Sequence, residues 1–161
     1  MPKAYNNQTS SIGTIQSHGG PLAPSGYFIC DGSAVSRTVY ANLFAILGDS
    51  WGEGDGSTTF NVPDLRGLFV RGLDLTGGTR DPDVFTRVAW YAGGSTGMNV
   101  GSYQGHEFAS HQHGVYPLGL YGGGVGLNDG GHNSSGYLST GATGGSETRP
   151  INAYVNYIIK F

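Results

Sequence analysis

Apolar residues arrive along this chain in short bursts set between glycine-rich polar stretches. "IGTIQ" and "GYFIC" in residues 12–32 read as two strands joined by the Pro/Gly loop "HGGPLAPS". From Ser36 the period changes: "SRTVYANLFAIL" places Val39, Leu43, Ile46 and Leu47 at helical spacing, with Ser36 as N-cap and Gly48 as stop. "DSWGEGDGSTTFNVPDLRG" is nearly all turn, anchored by Trp51 and Phe60, and "LFVRGLDL" reads as a further strand. Beyond Arg80 the pattern thins. "VFTRVAWYAG" is a strand candidate, and a long Gly/Ser/Tyr-rich stretch follows. In "RPINAYVNYIIKF" the residues Ile151, Ala153, Val155, Tyr157 and Ile159 alternate with Asn152, Tyr154, Asn156 and Ile158, which predicts a closing strand. The fold class expected is mostly β with one short helix (α+β).

Composition narrows this further. Thirty of 161 residues are Gly and only 12% are charged, against averages of about 7% and about 25%. With 12% aromatics, ten of them Tyr, the chain is not of the charged, aromatic-poor kind that stays disordered. Tight turns, closely approaching backbones and a surface of hydroxyls and rings are expected. A net charge of -3 without a basic cluster gives no patch for nucleic acid. No apolar run approaches the ~20 residues of a membrane-spanning helix, so membrane insertion is not expected. Cys30 is the single cysteine, so no disulfide framework arises within the chain.

Chemical motifs are sparse. "GGSTG", with Ser95 at its centre, fits the nucleophile-elbow pattern, but no helical sequence follows it, and a glycine turn is the plainer reading. "DSWGEGDGS" offers Asp49, Glu53 and Asp55 yet fails the EF-hand pattern at Trp51; Asx turns are the simpler account. Carboxylates for glycoside hydrolysis could be drawn from Asp31, Asp55, Asp64 and Asp74, and nothing in their spacing selects two. No enzyme is expected.

"SHQHG" remains. On a strand, His111 and His113 would share one face with α-carbons about 6.6–6.8 Å apart. A lone pair of this kind reads first as a solvated loop, since sites normally need at least three ligands. Three copies around a threefold axis would supply six imidazole nitrogens, an octahedral set suited to iron, nickel or zinc. His18, His106 and His132 are alternative ligands within one chain.

Residues Gly13 to Gly72 carry a specific series: Gly13 to Ile15, Pro24 to Tyr27, Cys30 to Gly32, Ser36, Arg37, Tyr40, Leu43, Phe44, Gly52 to Gly56, Thr59, Phe60 and Pro63 to Gly67. In register and over about sixty residues this resembles the phage tail collar domain, with Tyr27 where the family usually has Trp. "GSETRPINAYVNYIIKF" is similar to the ending of tail-fibre tips in that family. The resemblance implies a tail-collar-like fold in an intertwined homotrimeric fibre tip. Its implied parts are a flexible leader or shaft end (1–11), the collar (12–80), and a His-x-His and receptor-binding tip with a returning strand (81–161). It implies a transition-metal ion (iron, zinc or nickel) on the threefold axis, held by His111 and His113 of three chains. It also implies a virion location at the tip of the tail fibre, acting at the host cell surface. The expected partners are a bacterial surface glycan such as lipopolysaccharide, fibre shaft or tail proteins, and a tail-fibre assembly chaperone. Loops on a rigid scaffold concentrate recognition, and Tyr with Ser, Gly and Asn is adaptable contact chemistry. Tyr116, Tyr121, Asp129, His132, Asn133 and Tyr137 are therefore the receptor-binding candidates, with a buried interface as the other reading for Tyr116 and Tyr121. A structural collar or fibre-end protein that joins tail parts is the competing function.

Overall fold

A computed structural model of the chain describes residues 10–108, 110 and 148–161. The described elements are β1 (Ile15–His18), β2 (Tyr27–Ile29), β3 (Ala34–Ser36), α1 (Ala41–Leu47), β4 (Thr59–Asn61), a 3-10 turn (Val84–Thr86), β5 (Val88–Ala89), β6 (Ser102–Tyr103) and β7 (Asn156–Lys160). Among the described residues the architecture is mostly β with one short helix, as the pattern of apolar residues predicts.

The "IGTIQ" and "GYFIC" strands form, but they do not pair with each other. The chain's last strand lies between them in the order β1-β7-β2, antiparallel on both sides, with Ile15 opposite Ile159 and Phe28 also opposite Ile159. Backbone bonds continue past the strand ends: Gly13 N–H donates to Lys160 O (2.9 Å), Cys30 N–H to Tyr157 O (2.8 Å) and Phe161 N–H to Gly26 O (3.1 Å). Adjacent strand residues face opposite sides, so burial of both Ile158 and Ile159 means that the central strand is covered on its two faces. Ile159 joins Cys30, Leu43, Phe60, Val62 and Leu65 in the core, over which Phe28, Tyr40 and Phe161 stack edge to face or tilted.

The helix starts later than its sequence predicts. Ser36 ends β3, and its carbonyl accepts Tyr40 N–H (3.1 Å) while its Oγ accepts Val39 N–H (3.3 Å), so residues 36–40 form a capped turn before α1. Val39 therefore stays exposed, Ile46 is exposed on the helix, and Leu43 alone is fully buried. Gly48 closes the helix as expected, its N–H donating to Phe44 O (2.8 Å).

Two predicted strands lack ladders. "LFVRGLDL" has no strand among the described residues, and of the alternating C-terminal run Asn156–Lys160 is the described strand. β-propensity needs a partner strand to be realised, and neither stretch meets one within the described chain. "VFTRVAWYAG" splits into the 3-10 turn and the two-residue β5, paired with β6. By compactness the chain divides into residues 1–105 with 151–161, and residues 106–150.

Candidate functional site

Two backbone segments meet at the Asp31–Asp64 bridge. Gly32 N–H donates to Pro63 O (3.1 Å) and Leu65 N–H to Cys30 O (3.0 Å). Asp64 is buried there and accepts Arg66 Nε (2.8 Å) and Nη2 (2.6 Å) as a fork, together with Tyr91 Oη–H (2.9 Å). The Arg66 guanidinium holds the Asp64 carboxyl down to about 2, against the opposing effect of burial. Burial, reinforced by the charges of Asp31 and Asp64, pushes the Cys30 thiol up to about 12. Asp31 accepts Ser33 N–H (3.0 Å) and Ser33 Oγ–H (2.6 Å) through one oxygen. Gly32 must be glycine: its φ is +77°, and a methyl group there would lie 2.2 Å from Tyr91 Oη. The cluster is thus an inert thiol and two engaged carboxylates, which is a fastening rather than an acid–base pair.

The acidic loop behaves alike. Asp55 accepts the N–H groups of Ser57 (3.0 Å), Thr58 (2.7 Å) and Thr59 (2.9 Å) and the Thr58 hydroxyl, which drive its pKa well below the carboxylate range. Asp49 pairs with Arg37 (2.9 Å), whose guanidinium also donates to Thr59 O (2.7 Å) and Glu53 O (3.0 Å) and lies over the Phe44 ring. These are the turn-forming bonds expected of Asp beside Gly. Ser95 lies in irregular chain between two turns, its N–H donating to Ser50 O (2.9 Å), with β5 before it and no helix after it among the described residues, so the nucleophile-elbow context is missing there. Asp74 accepts Thr76 N–H (2.8 Å), Thr76 Oγ–H (2.5 Å), Arg80 N–H (2.9 Å) and Asp81 N–H (3.0 Å). Of the four carboxylates weighed for glycoside hydrolysis, Asp31, Asp55 and Asp74 thus bind their own local chain, and Asp64 binds Arg66 and the distant Tyr91.

The predicted site residues His111, His113, Tyr116, Tyr121, Asp129, His132, Asn133 and Tyr137 lie outside the described residues. Of the alternative ligands, His106 is exposed, and His18 Nε2 lies 3.1 Å from Leu22 O in its own loop. Among the described residues no group of three or more His, Cys, Asp or Glu is placed to hold a metal, and no helix is long and apolar enough to cross a membrane.

What the described surface does offer is rings. Trp90 and Tyr103 form an edge-to-face pair (4.2 Å) across β5 and β6, and Phe85, Phe69 and Tyr154 are exposed. A cleft of about 340 Å³ opens between Ile12, Val39, Tyr40, Asn42, Leu43 and Phe161. Sequence reasoning missed Trp90 and Tyr103, since only the short β5–β6 pairing brings them together.

Residues 13–70 match the model of the Phage Tail Collar Domain. Protein RhiB of Rhizobium leguminosarum bv. viciae is 37% identical over 146 residues, which cover 84% of this chain and 64% of RhiB. The chain thus spans a little under two thirds of that relative's length, and the relative's name carries no activity.

Proposed function

Residues 13–70 belong to the phage tail collar family, and on that premise we propose that the chain is the receptor-binding tip of a phage or phage-like tail fibre. It would adsorb to lipopolysaccharide or another bacterial surface glycan and catalyse no reaction. The collar match is the observation that carries this reading. Support comes from the order of the chain: the Gly/Ser/Tyr-rich stretch lies between β6 and β7, the latter bonded on both sides within the collar sheet. Connections between ordered elements are the usual setting for recognition. Three copies per tip, multiplied over several fibres, would turn weak sugar contacts into firm attachment through effective concentration. In this reading Tyr116, Tyr121, Asp129, His132, Asn133 and Tyr137 contact the glycan.

The same reading puts His111 and His113 of three chains around an axial transition metal, which would lock the three tips in register. Elemental analysis of the purified protein then finds about one iron, zinc or nickel ion per three chains; a metal-free trimer removes the ion. For adsorption, labelled protein is added to host cells and to immobilised lipopolysaccharide. Saturable binding that free glycan displaces is expected. Failure to bind either, with binding to a purified tail protein, transfers the reading to the structural collar. Shortening of the glycan during incubation would make the chain an enzyme.

A further inference from the structure

The β5–β6 ladder sets Val88 opposite Tyr103, and Trp90, just past β5, rests its ring edge to face on Tyr103 at 4.2 Å. Trp90 is nevertheless 43% exposed and Val88 53%. Each ring fixes the other, so a ligand settling on the pair has little left to order, which favours binding. A polar rim adjoins the rings at Tyr91. The Tyr91 hydroxyl donates to Asp64 Oδ2 (2.9 Å) and lies against Gly32. Burial, then the Asp64 carboxylate, raise the Tyr91 pKa, while the Trp90 indole N–H beside that hydroxyl acts in the opposite sense. The indole thus neighbours the Asp31–Asp64 bridge. Arg66 gives Nε and Nη2 to Asp64, which offsets its charge but leaves the Nη1 N–H groups to donate from a side chain that is 66% exposed. Asp31 takes both Ser33 bonds through Oδ1 and keeps Oδ2 as an acceptor.

The chemistry of rings and rim selects the occupant. The C–H groups of a sugar ring, made electropositive by the hydroxyls beside them, settle on the negative face of an aromatic ring. A free acceptor and a free donor suit the hydroxyls that project from such a ring. Two carboxylates, Asp31 and Asp64, stand against the single Arg66, so an acidic or phosphorylated sugar is disfavoured. A protein partner needs about 800 Å² on each side, far more than two rings provide. We infer that Trp90 and Tyr103, with Arg66 and Asp31 at their rim, form a subsite for one neutral pyranose of a surface glycan. The subsite rests on the glycan reading, and adds to it a class of sugar and a contact outside residues 116–137.

Fluorine NMR on the full chain, labelled with fluorotryptophan, tests the subsite. Trp51 and Trp90 are the two tryptophans, and Trp90→Phe assigns their signals. The probe is the oligosaccharide released from host lipopolysaccharide by mild acid, with methyl hexosides and hexuronic acids as competitors. The oligosaccharide is expected to move the Trp90 signal and not that of Trp51, and a methyl hexoside, but no hexuronic acid, to reverse the shift. In isothermal titration Trp90→Ala weakens binding about tenfold, Trp90→Phe, which keeps a ring, stays within about threefold of wild type, and Leu22→Ala in the β1–β2 loop changes nothing. Protection of Cys30 from a thiol reagent shows that the variants remain folded. Oligosaccharide binding that neither moves the Trp90 signal nor weakens in Trp90→Ala overturns the subsite and leaves the receptor reading standing. Reversal by hexuronic acids alone overturns the neutral-sugar assignment. Trp90→Ala that loses a purified tail protein while keeping the sugar makes the rings a protein contact and overturns the subsite too. No binding of any sugar overturns subsite and receptor reading together. Binding that needs Trp90 but survives loss of Tyr116 and Tyr137 upholds the subsite and breaks the assignment of those two tyrosines.

Discussion

Two halves of the collar-bearing unit are held by different forces. Up to Leu65, with β7, the chain is fastened by a shared apolar core of Leu43, Phe60, Val62 and Ile159. From Arg66 to Gly105 the described strands are two residues long, Val84 is the buried large apolar side chain, and polar knots take over. Asp74 collects backbone N–H groups, and Asp81 lies buried within 3.5 Å of both Arg71 and Arg87. The first half gains stability from area removed from water, the second from turns and from buried charges held near one another, although Asp81 Oδ2 and Arg87 Nε and Nη1 make no hydrogen bond. A glycine-rich sequence short of large apolar residues must use the second means.

Substitutions can break this contrast. Phe60→Ala empties the shared core and is expected to cost about 4 kcal/mol in denaturant melts, unfolding the unit as a whole. Asp81→Ala strands Arg87, itself largely buried, and is expected to cost about 3 kcal/mol. Its damage should appear first as hydrogen exchange in residues 71–103, with β1, β2 and β7 still protected. Acid sharpens the contrast further. Asp64 has a folded pKa near 2, below the ordinary carboxylate value, so its contribution is complete above about pH 4 and fades as pH falls toward 2. Asp55 and Asp74 are also depressed and shift in the same sense. Thermal melts from pH 7 to pH 2 should thus fall below about pH 4, and Asp64→Asn should flatten that fall. The smallest effect is kinetic: Cys30, raised to about 12 and buried, should react with a thiol reagent at pH 8 only as fast as the core opens.

Local signals in the sequence were read well and distant ones were not. The strands at Ile15 and Tyr27, the stop at Gly48 and the Asx loop at Asp55 each depend on residues a few positions apart. The insertion of β7 between β1 and β2 depends on groups more than 120 residues apart, which no periodicity encodes. "LFVRGLDL" and "INAYV" have strand composition but lie outside the described strands, because composition alone does not fix which residues enter a ladder. Val39 matched a helical stripe yet fell in the turn that Ser36 caps, a competition between side-chain capping and helix propagation that spacing alone does not weigh. Of the candidate site, the histidines and tyrosines between 111 and 137 were legible as chemistry only; the ring pair of exposed Trp90 and half-buried Tyr103 joins two segments that no periodicity links.

The central position of β7 has a consequence for synthesis. A ribosome delivers β1 and β2 early, yet they have no common neighbour until residues 156–160 emerge. The nascent collar must wait, half-built, through the whole of the Gly/Ser/Tyr-rich stretch. Contacts so far apart in the chain slow folding. Loop-closure entropy, however, grows only logarithmically, about 0.6 kcal/mol per doubling of length. On that scaling, lengthening or shortening the chain between β6 and β7 is expected to cost the β1-β7-β2 sheet little.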